Sequence, residues 1–242
     1  MNPLQIVVLD RDTLVNHPFE FDFPHTLSSY STTEAHETLA RIRGADIVIT
    51  NKVVISAQAF AENPQLKLVA VTATGVNNVD VEAAKQNGTA VCNIRAYGNE
   101  SVAEHAFMMM ITLMRNLPAY QRDVAAGLWE NSPFFCHLGA PMRDLNGKTL
   151  AIFGRGNIGK TLATYAQAFK MNVVFAEHKN AQSVRDGYVS FDEAIRSADV
   201  VSLNCPLTPQ TANMIGEAEL QQMKPGAILI NCGRGGLVDE AA

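Results

Sequence analysis

The sequence predicts an α/β protein built from two doubly wound parallel-sheet domains, and three observations predict it. Short runs rich in β-branched residues alternate with helical patterns along the chain, which is typical of strand-helix-strand units. This series begins twice, near residue 4 and again near residue 149. The apolar runs at 173–175 and 228–230 show no polar alternation, so we expect helices to cover both faces of the sheet.

The first series predicts a domain over residues 1–98. Strands are expected at residues 4–9, 46–50, 66–72 and 89–94, with helices at residues 34–43, 57–61 and 81–86. Gly44 and Gly88 follow two of these helices, where a left-handed C-cap residue is expected. The alternation of elements therefore predicts a small parallel sheet with helical cover.

The second series predicts a domain over residues 99–242 that is incomplete at its C-terminus. Strands are expected at residues 149–153, 172–176, 199–204 and 227–231, with helices at residues 158–169, 192–198 and 217–223. Residues 99–145 precede the first of these strands and are expected to contain a linker helix and a dimer arm.

The linker helix has both a start and a stop signal. Ser101 and Glu104 match a capping box, which predicts a helix from Ser101 to about Asn116, ended by Pro118. Because apolar residues nearly encircle it, we expect one face to pack on another domain or subunit. The following apolar segment is either core or a dimer arm, and it contains Trp129, Phe134, Phe135 and Leu138.

Composition excludes several classes of function. The net charge is −5 without a cluster of Lys or Arg, which argues against nucleic acid and anionic membranes as partners. The most apolar stretch, residues 102–114, is too short to span a bilayer, and the N-terminus lacks the features of a signal peptide. The four cysteines form no CxxC pair, so we expect no zinc site and no disulfide framework. These features predict a cytoplasmic protein.

A glycine-rich fingerprint, GxGxxG at residues 154–159, directly follows a predicted strand and opens a helix. Gly154 would permit the tight turn, and Gly156 would let a pyrophosphate approach the backbone N–H groups at the helix N-terminus. Gly159 would allow the helix to pack closely on the strand. This context predicts a dinucleotide-binding site rather than a simple glycine turn.

An acidic residue follows at the end of the next strand. Glu177, eighteen positions past Gly159, would accept hydrogen bonds from the adenosine ribose and repel a 2′-phosphate, which favours NAD over NADP. Two alternatives stay open. Glu177 could be an exposed carboxylate at the end of a strand, and the adjacent His178 and Lys179 could favour a phosphate.

Two more candidates lie just past the carboxyl ends of predicted strands, where open α/β sheets bind ligands. The Arg234 guanidinium could hold a substrate carboxylate and polarise a neighbouring carbonyl, or it could be a structural partner of Asp239 or Glu240. The loop at residues 72–78 offers successive N–H groups to an anion, although a simple strand-to-helix turn predicts it equally well.

Five motifs together resemble the D-isomer-specific 2-hydroxyacid dehydrogenases, most closely the glycerate dehydrogenase (hydroxypyruvate reductase) branch. They are TGVNNVD at residues 74–80, YGNESVAEH at 97–105, the fingerprint at 154–159, CPLT at 205–208, and MKPG at 223–226 with NCGRGGLVDE at 231–240. The resemblance covers the chain and implies two Rossmann-like domains, a flavodoxin-like substrate domain and an NAD-binding domain, in a homodimer. It implies reduction of hydroxypyruvate or glyoxylate with NADH, or oxidation of D-glycerate.

The resemblance also implies roles for individual residues. Thr74, Gly75 and Val76 would bind the substrate carboxylate through backbone amides, and Arg234 would be the catalytic arginine. Val102 and Cys232 would border the nicotinamide. The other implied cofactor contacts are Gly154, Gly156, Asn157, Ile158, Gly159, Glu177, Cys205, Pro206 and Thr211.

The family's histidine, which protonates the new alkoxide, and the glutamate that tunes its pKa belong to motifs after Arg234, and no residue matches them here. All histidines precede Arg234, and none is nominated as a substitute: His17, His25, His36, His105, His137 and His178. We therefore expect these 242 residues, which also lack the returning helix of the substrate domain, to bind cofactor without appreciable reductase activity. The alternatives are an NAD-sensing, corepressor-like interaction protein, a non-redox NAD enzyme, or an inactive fragment that only binds cofactor.

Overall fold

A computed structural model describes residues 2–14 and 18–242 and divides the chain into two compact units, with the boundary between Tyr97 and Gly98. Each unit is a parallel sheet with helices packed against it. The predicted fold class, two doubly wound α/β domains, is therefore confirmed. Of the candidate residues considered above, His17 lies outside the described residues.

The first unit contains a five-stranded parallel sheet in the order β2-β1-β3-β4-β5, the flavodoxin-like order. Its strands are β1 (Leu4–Val8), β2 (His25–Ser29), β3 (Ile47–Thr50), β4 (Leu68–Val71) and β5 (Ala90–Asn93). Its helices are α1 (Thr38–Ile42), α2 (Ala57–Ala61) and α3 (Val81–Asn87), and a short 3-10 turn covers Arg11–Thr13.

Both faces of this sheet are buried. Successive residues of a strand point to opposite faces, and Val7 and Val8 accordingly belong to different apolar clusters, each with at most 6% of its surface exposed. Local signals fix the helix ends that border the sheet. Asp80 caps α3 by accepting a hydrogen bond from the N–H of Ala83 at 2.9 Å, and Gly88 ends α3 with a φ of 75°, as predicted.

The second unit contains a four-stranded parallel sheet in the order β7-β6-β8-β9. Its strands are β6 (Thr149–Phe153), β7 (Asn172–Phe175), β8 (Val200–Leu203) and β9 (Ile228–Asn231), and its sheet-covering helices are α6 (Asn157–Ala168), α7 (Phe191–Ser197) and α8 (Glu217–Gln222). A parallel bridge from Ala176 to Val189 extends the pattern beyond β7. The strand order reverses between β6 and β8, so their carboxyl ends form the crevice where such sheets bind ligands.

The linker region differs from the prediction in two ways. Helix α4 (Asn99–Met114) begins at Asn99 after Gly98, so the capping box at Ser101 is wrong. Ser101 lies within the first turn, and its hydroxyl contacts the carbonyl of Gly98 instead of capping the helix. The end of α4 at Met114 lies within two residues of the predicted end near Asn116, but Pro118 lies in the first turn of a second helix, α5 (Leu117–Ala125), which was not predicted. Proline is tolerated there because the first turn needs no N–H donor.

The chain's remaining short element is a 3-10 turn at Gly235–Leu237, after β9. None of the helices that the structure describes in residues 2–14 and 18–242 has the length and apolar character to cross a membrane.

Candidate active site

The fingerprint glycines lie where β6 ends and α6 begins, and two of them are required by close backbone contacts. Gly154 has a φ of +111°, and a Cβ atom there would lie 2.7 Å from the carbonyl carbon and oxygen of Asn204. A Cβ atom on Gly159 would lie 2.1 Å from the carbonyl oxygen of Gly154. Only glycine therefore lets α6 start against the ends of β6 and β8.

Gly156 has a different role, because a Cβ atom on it would meet no atom within 4 Å. It is the N-cap residue of α6, and its own carbonyl accepts from the N–H of Lys160 at 3.0 Å. Within the part of the chain that the structure describes, the N–H groups of Asn157 and Ile158 donate to no protein acceptor. Open space beside free N–H groups at a helix N-terminus fits the pyrophosphate of a dinucleotide.

Glu177 follows β7, as predicted, but its carboxylate is buried and already satisfied. Its side chain is 2% exposed, and its two oxygens accept four hydrogen bonds. Two come from the backbone N–H groups of His178 (2.8 Å) and Arg185 (3.1 Å), and two come from the Arg185 guanidinium (2.6 and 2.7 Å). The Arg185 side chain lowers the pKa of Glu177 from 4.5 to about 2, aided by these backbone donors.

Two arginines beside Glu177 were missed by the sequence reasoning. The Arg185 guanidinium lies over the ring of Tyr188, 4.3 Å from its centre. Arg155, inside the fingerprint, lies 5.3 Å from the centre of the same ring and 4.9 Å from that of Phe175. The sequence offered only their charge as a signal, because the loop that brings Arg185 back to Glu177 has no recognisable pattern.

A pocket of about 490 Å³ in the second unit brings Val102 and Cys232 together, the two residues predicted to border the nicotinamide. It lies between α4 and the end of β9. Burial raises the pKa of the Cys232 thiol, which favours its neutral form. His105, which the sequence analysis did not nominate as a catalytic residue, is exposed and lines this pocket. The pocket is lined by Ser101, Val102, His105, Met109, Asn231 and Cys232.

The loop after β8 contains the predicted contacts Cys205, Pro206 and Thr211. The Thr211 hydroxyl donates to the carbonyl of Pro206 at 2.7 Å and accepts from the N–H of Thr208 at 2.8 Å, which fixes the loop's shape. Burial raises the pKa of Cys205. In residues 2–14 and 18–242, no group of three histidine, cysteine or acidic side chains could hold a metal ion.

Arg234 lies in the turn after β9. Asn231 shapes this turn: its amide oxygen accepts from the N–H of Gly233 at 3.0 Å, and its amide nitrogen donates to the carbonyl of Arg234 at 2.8 Å. The guanidinium is exposed and donates to the carbonyl of Gly233 at 3.1 Å. Among the described ion pairs it has no carboxylate partner, so the structural pairing with Asp239 or Glu240 is not formed. Its charge is free for a ligand.

The predicted substrate loop lies in the first unit, after β4. The Asn93 amide donates to the carbonyl of Thr74 at 2.7 Å, and the Asn78 amide donates to the carbonyl of Val53 at 3.0 Å. These bonds hold both ends of the loop. Within residues 2–14 and 18–242 the N–H groups of Gly75 and Val76 have no protein acceptor, which suits an anion-binding turn.

The model of the NAD-binding domain of D-isomer-specific 2-hydroxyacid dehydrogenases matches residues 107–242. The chain is 43% identical to a glycerate dehydrogenase of Methylorubrum extorquens over 98% of this chain and 75% of that protein. It is 36% identical to a hydroxypyruvate reductase of Blautia hydrogenotrophica over 87% of this chain and 66% of that protein.

Among solved structures, a glyoxylate reductase from Paecilomyes thermophila superposes with a TM-score of 0.78 at 27% identity, covering 100% of this chain and 77% of that one. The sequence match and the fold match thus agree with the dinucleotide fingerprint described above. The chain belongs to the D-isomer-specific 2-hydroxyacid dehydrogenases and is an NAD-dependent dehydrogenase.

Proposed function

We propose that the protein reduces hydroxypyruvate or glyoxylate to the corresponding 2-hydroxyacid with NADH, or oxidises D-glycerate in reverse. The unpaired guanidinium of Arg234, held two residues after Cys232 by the Asn231 turn, carries this proposal. A free cation at the carboxyl end of β9 suits a small anionic substrate. The similarity to a glycerate dehydrogenase and a glyoxylate reductase supports this substrate class.

In this proposal the second unit binds the coenzyme. The N–H groups of Asn157 and Ile158 and the space left by Gly156 would hold the pyrophosphate, and Val102 and Cys232 would border the nicotinamide. Bound NADH supplies the hydride for the carbonyl carbon of the substrate.

In the first unit, the free N–H groups of Gly75 and Val76, with Thr74 in the same turn, would suit a carboxylate. In the second unit, Arg234 would bind the substrate and polarise its carbonyl as negative charge grows on the oxygen. We assign Arg234 binding and polarisation only, because a guanidinium keeps its protons at neutral pH and delivers none.

A binding measurement tests the role of Arg234 separately from turnover. The chain is saturated with NADH and titrated calorimetrically with D-glycerate, a combination that cannot react because both are reduced. We expect Arg234→Gln to weaken D-glycerate by about 30-fold, the effect of losing hydrogen bonds to a charged group. The D-glycerate affinity of Arg234→Lys should lie between those of the parent chain and Arg234→Gln, since an ammonium keeps the charge but lacks the bidentate geometry.

Arg196→Gln is the matched control, because Arg196 is an exposed arginine of the same unit whose nearest carboxylate, Asp192, lies 3.7 Å away. Arg196→Gln should leave the affinities for NADH and for D-glycerate unchanged. Equal D-glycerate affinities in Arg234→Gln and the parent chain would show that Arg234 is not a substrate ligand.

We further propose that two copies associate through α5 and the arm that follows it. Phe135 and Leu138 are 99% and 89% exposed, and Trp129 is 53% exposed. Several large apolar side chains exposed within one short segment favour an interaction site. Light scattering coupled to size exclusion should give a dimer for the parent chain and a monomer for a Phe135→Ser, Leu138→Ser double variant. A monomeric parent chain would rule this out.

A further inference from the structure

The environment of Glu177 alters the selectivity that its position alone predicts. A carboxylate has about four acceptor positions, and all four are used here by His178 and Arg185. Two of these bonds come from the same guanidinium, in the bidentate geometry that makes an ion pair strong. Glu177 therefore has no free lone pair for a ribose hydroxyl, and its negative charge is compensated before any ligand arrives.

Arg185 still has donors to offer. Its side chain is 53% exposed although Glu177 is 2% exposed, so the pair has one buried and one solvent-facing partner. Only Nε and Nη2 donate to Glu177; the described hydrogen bonds show no protein acceptor for Nη1. Stacking on Tyr188 fixes the plane of the guanidinium without using its N–H groups. A ligand at the end of β7 would thus meet a pre-oriented arginine.

Arg155 adds a second positive charge at the same position. Its guanidinium lies over the rings of both Phe175 and Tyr188. Within the described residues, Arg155 forms no ion pair and no hydrogen bond with a protein acceptor. Asp186, the next residue after Arg185, is exposed and bonds to neither guanidinium. Around Tyr188 there are consequently two guanidinium groups and one buried, neutralised carboxylate.

We propose that Arg185 determines the coenzyme preference of this dehydrogenase. By pairing with Glu177, it cancels the repulsion between that carboxylate and a 2′-phosphate. Together with Arg155, it forms a positively charged binding site for the same phosphate. The inference rests on the proposed coenzyme site. Because an arginine near the ribose accommodates a 2′-phosphate, the chain should bind NADPH within about tenfold of NADH, a difference of at most about 1.4 kcal/mol.

The test is the ratio of the NADPH and NADH dissociation constants, measured by calorimetry without substrate. Arg185→Gln is the first variant, since a glutamine amide can still donate to Glu177 but carries no charge. It should raise the ratio about tenfold, by weakening NADPH while NADH stays within about threefold. Arg155→Gln, which does not touch Glu177, should raise the ratio in the same direction. Arg196→Gln should leave it unchanged.

The outcomes separate the two proposals. A parent chain that binds NADH at least 100-fold more tightly than NADPH overturns the inference, as does an unchanged ratio in both Arg185→Gln and Arg155→Gln. Equal weakening of both coenzymes in these variants shows a purely structural role and also overturns it. If the parent chain binds neither coenzyme, the proposed coenzyme site itself is wrong.

Discussion

Two alanine substitutions, three residues apart in the fingerprint, should have opposite effects. At Gly156 a methyl group has open space, and the φ of −77° suits any residue. At Gly159 the methyl carbon would lie 2.1 Å from the carbonyl oxygen of Gly154 and 3.1 Å from Cγ2 of Ile152. The first contact is more than 1 Å inside an ordinary separation of about 3.5 Å, and a backbone atom cannot rotate away.

The magnitudes follow from these contacts. Gly159→Ala gains about 1 kcal/mol of helix propensity but loses about 3 kcal/mol or more to overpacking, so the second unit should lose about 2 kcal/mol and melt about 4–8 °C lower. Gly156→Ala should fold as well as the parent chain, or more stably by about 0.4–1 kcal/mol, since alanine restricts the unfolded chain. Its methyl group would instead occupy the space assigned to the pyrophosphate, and NADH should bind about 10- to 100-fold more weakly.

Thermal melts and NADH titrations on the same preparations make the comparison. Gly216→Ala is the matched control, because its Cβ atom would make ordinary contacts, at 3.7 Å from Glu219 and 4.0 Å from Asp239. It should leave NADH binding unchanged and should raise the stability by no more than the same gain of about 0.4–1 kcal/mol. Tight NADH binding by a folded Gly156→Ala variant would refute the assignment of this turn to the pyrophosphate.

Two further predictions concern buried carboxylates. The folded-state pKa of Glu177 is lowered from 4.5 to about 2, so the stabilisation by its Arg185 pair is complete above pH 4.5 and disappears as the pH falls towards 2. The difference in melting temperature between the parent chain and Arg185→Gln should therefore shrink over that range. A constant difference would contradict the pairing. In the first unit, Asp10 is 4% exposed and accepts from the N–H groups of Asn51 and Lys52 at 2.6–3.0 Å; Asp10→Ala should lower the unfolding free energy in denaturant titrations by about 1–3 kcal/mol, because both donors lose their partner, whereas a change under 0.5 kcal/mol would show that they are satisfied otherwise.

Periodicity predicted most of the fold because burial on both faces leaves a continuous apolar run, as in β6 and β9. Periodicity missed β2 because this strand has no such apolar run. His25–Ser29 is a mostly exposed edge strand in which Leu27 is the single apolar residue, and its pairing with β1 depends on backbone hydrogen bonds that leave no apolar pattern. The end of α4 near Asn116 was predicted, but the helix that begins at Leu117 was missed, because a proline is also compatible with a first helical turn once Asn116 adopts a φ of 50°.

The candidate site shows the same division. The roles of Gly154 in the tight turn and of Gly159 in close helix–strand packing were predicted from their spacing, because a strand, a tight turn and a helix can be joined at this spacing in only one backbone arrangement. The burial of Glu177 and its pairing with Arg185 were not predicted. Its pairing with Arg185 depends on a loop of irregular backbone that folds back over the strand end, and sequence spacing does not encode that path.

The most direct test of the proposed reaction is the chirality and stoichiometry of the product. The protein that carries these 242 residues is incubated with hydroxypyruvate and NADH, the loss of NADH absorbance is followed, and the glycerate formed is resolved on a chiral column. We expect one D-glycerate for each NADH consumed. L-glycerate as the product, or no oxidation of bound NADH by hydroxypyruvate or glyoxylate, would contradict the proposed reaction.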